Sequence, residues 1–218
     1  IIEVKNRKPI LFCTKDVQAI LSGTKITTRR VIKLDLGLAD TDKNDSRYLK
    51  IPDKYGEFHD AKDLCRYKVG DVLWVRETWQ EGYKGKVDEN GEPIIEYIYK
   101  AREGNISVDK WCPSIHMPKE AARIFLKITD VRIEWLQAIT EKEARKEGIE
   151  TDEVLEYFEW VDLVAPPGSK RPTLRAEFAD HWDSMLNKED CDEYSWESNP
   201  WVWVIEFEKV DVKEFVRA

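Results

Sequence analysis

The chain lacks any apolar run near the roughly 20 residues that a membrane-spanning helix requires, and nothing at its start reads as a signal segment. A cytoplasmic location with no membrane partner is the expectation. It also lacks a Cys-x-x-Cys pair. Its four cysteines, Cys13, Cys65, Cys112 and Cys191, are widely spaced, which in a reducing compartment reads as free thiols. Cys112 and His116, even with His59 and Cys65 added, lack the tight pair that anchors zinc, so neither a metal nor another cofactor is expected. There is no internal repeat and no low-complexity tract. Positive charge is not in excess either: 35 Lys and Arg stand against 43 Asp and Glu, for a net charge of −8. The resulting field repels polyanions and excludes an extended nonspecific coater of DNA or RNA, which needs a broad basic face.

What is present is charge, at 36% of residues against about 25% in an ordinary soluble protein. It is unevenly spread. The segment from Ile1 to Leu34 is basic, while that from Glu147 to Asp162 is acidic, so a local basic cleft can exist on an acidic body. With 218 residues the chain can hide about 70% of its unfolded surface in a core.

The pattern predicts a short helix capped by Thr14, with Val17, Ile20 and Leu21 at helical spacing and Gly23 as its stop. Lys25 to Ile32 is rich in β-branched residues and reads as a strand. So do "VLWVRETW" after Gly70-Asp71, "IIEYIYK" after the Asn90-Gly91 hairpin turn, "RIFLKITDVRIEWL" and "WVWVIEFEKV". Thr140-x-x-Glu143 is a capping box opening a helix that ends at Gly148. Two more helices are predicted, Asp152 to Val161 and Leu174 to Leu186, joined by the loop "APPGSKRP". Strands outnumber helices, so the class is α+β, and a small mixed β-barrel with helices outside it is the simplest architecture.

Behind Gly23, the stretch "SGTKITTRR" crowds one lysine, two arginines and three threonines. Strand alternation puts Thr28 and Arg30 on one face and Lys25 and Thr27 on the other. Lys25 can meet Thr28 only from the bend before regular strand begins. Positive charge from Arg29 and Arg30 would lower the pKa of Lys25 and favour it as a base. Glu77 lies in the most apolar strand, beside Arg76 and Trp79, so a buried carboxylate with an arginine partner (Arg30 or another) is expected. Glu147, in the last turn of its helix, opposes the dipole by about 0.3–1 kcal/mol.

"ILSGTKITTRR", followed in order by "VGDVLWVRETW", "ITEKEARKEGI" and "WVWVIEF", resembles the ASCH domain family, whose PUA-like β-barrels are associated with RNA and modified nucleosides. Some small bacterial members are amidohydrolases of acetylated cytidine that use a lysine, a threonine and a glutamate. The resemblance puts these on Lys25, Thr28 and Glu147, with the family arginine on Arg30. Ile26 and Arg29 depart from the usual pattern. The remaining expected substrate contacts are Arg29, Arg76, Glu77 and Trp79. The resemblance implies one elaborated domain over 1–218, with inserts at 36–65, 80–120 and 150–198. It further implies recognition of a nucleobase, modified nucleoside or RNA, with hydrolysis of an N-acyl group as the reaction. Two alternatives remain open: a non-catalytic RNA-binding module, and an accessory protein or nuclease encoded by a phage or prophage.

Overall fold

The computed structural model describes residues 7–33, 50–52, 58–87, 89–91, 93–102, 108–166 and 168–211. In chain order the elements are β1 (Arg7–Leu11), α1 (Thr14–Ser22), β2 (Thr27–Val31), β3 (Lys50–Pro52), β4 (Phe58–Asp60) and α2 (Ala61–Leu64). There follow β5 (Val72–Arg76), β6 (Trp79–Val87), β7 (Pro93–Tyr99), β8 (Phe125–Trp135) and α3 (Glu141–Lys146). The chain closes with α4 (Asp152–Val164), α5 (Leu174–Ser184), α6 (Cys191–Tyr194) and β9 (Trp201–Val210). They belong to two compact units. Unit 1 is drawn from Ile1–Gly23, Asp71–Lys127 and Glu208–Ala218, and unit 2 from Thr24–Gly70 and Ile128–Phe207. Residues 36–49 and 53–57 of the first expected insert lie outside the described residues.

In unit 1, β1 runs parallel to β5, and β5 pairs antiparallel with the start of β8. The helix α1 starts one residue earlier than the threonine signal predicts. Cys13 is the N-cap and its Sγ accepts the Asp16 amide at 3.5 Å, leaving Thr14 inside the first turn. Its end is as expected: Gly23, at φ 83°, adopts the left-handed conformation that a Cβ would disfavour, and its amide returns to Ile20. "VLWVRETW" breaks at Glu77-Thr78, and Trp79 opens β6, which pairs with β7 across the Asn90-Gly91 turn.

In unit 2, β2 pairs antiparallel with β9, Thr27 opposite Glu206 through Val31 opposite Val202. The capping box of α3 is formed reciprocally by Thr140 and Glu143. The core gathers Val202 and Val204 of β9, Ala144 of α3, Leu174, Phe178 and Trp182 of α5, and Leu136, Ile139 and Ile149 from the connections. Leu174, Phe178 and Trp182 recur at helical spacing along α5 and are all buried there.

The fold is mixed α and β, as expected, and no closed barrel is seen among the described residues. Among the described residues the main sheet has the open order β1-β5-β8-β9-β2, and β3–β4 and β6–β7 are separate two-stranded ribbons. Among the described residues β1, which holds Pro9, stands at one end of that order and is bonded to β5. No described helix is long and apolar enough to cross a membrane.

Candidate functional site

The residues leading into β2 are held against the end of α3. Lys25 forms an isolated antiparallel bridge with Glu147. The Ile26 amide donates to Lys146 O at 2.9 Å, and Ile26 O accepts from the Phe207 amide at 3.0 Å. Gly148, at φ 78°, lets the chain leave the helix directly after Glu147. Positions 122 residues apart thus become neighbours.

The side chains follow. Lys25 Nζ donates to Glu147 Oε2 and to the Glu147 carbonyl, each at 2.8 Å. Arg29 Nη1 donates to Glu147 Oε1 at 2.9 Å. Lys25 and Glu147 are 3% exposed and Arg29 is fully covered. The carboxylate that opposes the helix dipole is therefore met by two cations, and each of its oxygens has its own donor. Removing one member of such a buried set leaves an uncompensated charge.

The network continues outward. Arg29 Nη2 reaches Glu134 at 3.2 Å and Glu143 at 3.6 Å. Arg132 then gathers Glu134 at 2.5 Å, Glu206 at 2.6 Å, Glu143 at 3.0 Å and Asp130 at 3.5 Å. Lys146 adds a contact to Glu206 at 3.5 Å. Burial alone would raise the Glu143 carboxyl, but the Thr140 amide and the Arg29 charge outweigh it and hold that carboxyl below its ordinary value.

Strand register sorts the expected residues into two sets. Thr27 and Arg29 share a face with Glu206 and Val204, while Thr28 and Arg30 share the other with Ile205 and Trp203. Lys25, Glu147 and Arg29 are brought together. Thr28 is buried, but among the described residues no hydrogen bond joins its hydroxyl to Lys25 or Glu147. Thr27 lies between Lys25 and Arg29 along the chain, and its Oγ1 is buried without a hydrogen-bond partner.

Arg76, Glu77 and Trp79 belong to unit 1. Glu77 is 1% exposed, and both its oxygens accept from Arg123, at 2.9 Å each. The expected arginine partner is thus Arg123. The Arg123 guanidinium lies 4.1 Å from the centroid of the Tyr99 ring. Burial pushes the Tyr99 phenol up to about 12, with Arg123 pulling down and Glu77 pushing up. Arg76 donates to the carbonyls of Ile115 and Met117. Trp79 packs with Met117 and Ala121, and its indole N–H is buried without an acceptor.

Sequence reasoning missed Arg132, Glu134, Glu143 and Glu206 as members of this site. A signal was there. Asp130, Arg132 and Glu134 alternate with the apolar Val131 and Ile133 in β8, which puts three charges on one face.

No family model matches the chain, and no curated protein does. A crystal structure described as an ASCH domain from Lactobacillus crispatus resembles it at 14% identity, covering 95% of this chain and 81% of that one. The TM-score is 0.37, too low a superposition to carry a conclusion about fold or function. That structure bears the name of the family the sequence motifs resemble.

Proposed function

We propose that unit 2 recognises a nucleobase or modified nucleoside in the manner of an ASCH domain, and that Lys25, Thr28 and Glu147 hydrolyse an N-acyl group of the acetylcytidine type. The single observation carrying this reading is the buried contact of Lys25 Nζ with Glu147 Oε2, 2.8 Å. The sequence motifs pair these two positions, and chance seldom buries a lysine and a glutamate from distant segments together.

In this reaction Lys25 passes a proton to Glu147 Oε2 and then takes the Thr28 hydroxyl proton as the oxygen bonds to the amide carbon. The carbonyl electrons move onto oxygen, steadied by Arg30. Collapse breaks the C–N bond, and the departing amine takes its proton from Glu147, which returns to the carboxylate form. Arg29 holds Oε1 of Glu147, so Glu147 trades protons through Oε2 with Lys25. Water, activated by the same base, then cleaves the threonine ester and releases the acid.

A second reading is a non-catalytic nucleobase- or RNA-binding module. It is favoured by the Thr28 hydroxyl, which takes the alternate strand face from Arg29 and makes no bond to Lys25. Acetate release from acetylcytidine separates the two. Hydrolysis by the wild type, lowered about 10²–10⁴-fold by Lys25→Met with the circular dichroism retained, supports the enzyme. A wild type that binds cytidine or RNA but releases no acetate from neutral to alkaline pH leaves the binder.

A further inference from the structure

The outer surface of α4 is independent of that site. Its sequence, "DEVLEYFEWVDLV", is apolar on more than one side, and none of its residues is buried. Val154 and Phe158 pack against the core of unit 2, four residues apart on one stripe. Tyr157, Trp160, Leu163 and Val164 recur at helical spacing away from that stripe. Trp160 is 58% exposed and Leu163 84% exposed. The rings of Tyr157 and Trp160 stack with centroids 6.5 Å apart. Arg171 closes the end of the helix by donating to Val161 O at 3.2 Å and pairing with Asp162 at 3.1 Å. A helix this well anchored at its capped ends does not need a second apolar face for its own fold. Contiguous exposed apolar surface of this kind marks a contact site.

The charges around the stripe decide what covers it. The helix carries Asp152, Glu153, Glu156, Glu159 and Asp162 and no basic residue. Glu153 and Glu156 flank Tyr157 and Trp160 along the outward side. Nucleic acid and anionic lipid are repelled by such a rim, whereas an apolar stripe bordered by lysine and arginine is complementary. We propose that the Tyr157–Trp160–Leu163–Val164 face of α4 docks a basic amphipathic helix of a partner protein, in the helix-on-helix mode that apolar anchors with a charged rim support.

The test is calorimetric titration of the full chain with a synthetic helix of about five turns, with leucine at i, i+3, i+4 and i+7 positions and lysine elsewhere. The control peptide has glutamate in place of lysine. The lysine peptide should bind, and the glutamate peptide should bind about tenfold more weakly or not at all. Trp160→Ser with Leu163→Ser should lower affinity by about tenfold or more, with circular dichroism and melting unchanged. Glu153→Gln with Glu156→Gln should weaken binding less and flatten its salt dependence. The proposal fails if the lysine peptide does not bind, if both peptides bind equally, or if the Trp160 and Leu163 changes leave affinity intact. It also fails if the wild type dimerises in sedimentation and that double variant does not, because a second copy would then occupy the stripe.

Discussion

Among the described residues each unit buries one glutamate against arginine, and the two are solved differently. In unit 1, Glu77 is satisfied by the fork of Arg123, which is 28% exposed and keeps part of its own hydration. The pair is closed on itself. In unit 2, Glu147 is shared between Lys25 and Arg29, both covered, and Arg29 passes the connection on to Glu134 and Glu143. Neither cation on the Glu147 carboxylate keeps appreciable contact with water. A bidentate arginine fixes a carboxylate in place. A lysine-bound carboxylate can do more, since the ammonium is able to give up its proton. The difference separates a carboxylate held by one arginine from one shared between a lysine and an arginine.

Breaking the two sets should cost unequal amounts. Glu147→Leu leaves Lys25 and Arg29 buried without their shared carboxylate and should destabilise the protein by about 3–5 kcal/mol in urea unfolding. Glu77→Gln should cost less, about 1–3 kcal/mol, because Arg123 can turn towards water. The Glu77 change should also leave ligand binding by unit 2 untouched. Equal losses would erase the contrast between the units.

Titration sharpens the same contrast, with smaller effects of opposite sign. The folded state holds Glu143 below its ordinary pKa of 4.5, so its contribution is present above that value and is lost as pH falls through the lower folded value. Glu143→Gln should flatten the acid limb of a stability–pH curve. Tyr99 is raised from 10.0 to about 12. Its contribution is present below pH 10 and is lost as pH rises towards 12. Tyr99→Phe should remove that alkaline loss, at the cost of the hydrogen bond its hydroxyl donates to Ala121 O at 2.6 Å. Limbs unaffected by these substitutions would place the titrating groups elsewhere.

Local rules made much of the fold legible. The Thr140 capping box, the stop at Gly23 and the turn at Asn90-Gly91 each depend on a few neighbouring residues, and each forms. Cys13 escaped because a thiol is a weak acceptor and hydroxyls are the ordinary cap signal. The barrel expectation went beyond local rules, since strand order depends on pairings across the whole chain. At the site, alternation alone grouped Lys25 with Thr27. The contact with Glu147 could be anticipated only through the ordered motifs. Of the four carboxylates around Arg132, Asp130 and Glu134 share its strand face and could have been read from alternation, whereas Glu206 is 74 residues away and only register brings it near. For α4 the helix was readable but its core-facing side was not, since apolar residues surround it.

The most direct measurement is acetate release from acetylcytidine by Thr28→Val alongside nucleoside binding by the same variant. Valine keeps the β-branched shape of threonine and removes only the hydroxyl, so the strand should persist. If Thr28 is the nucleophile, release falls to background while binding survives, since the remaining contacts come from other groups. Undiminished release by the variant, or none by the wild type, would contradict the catalytic role given to Thr28.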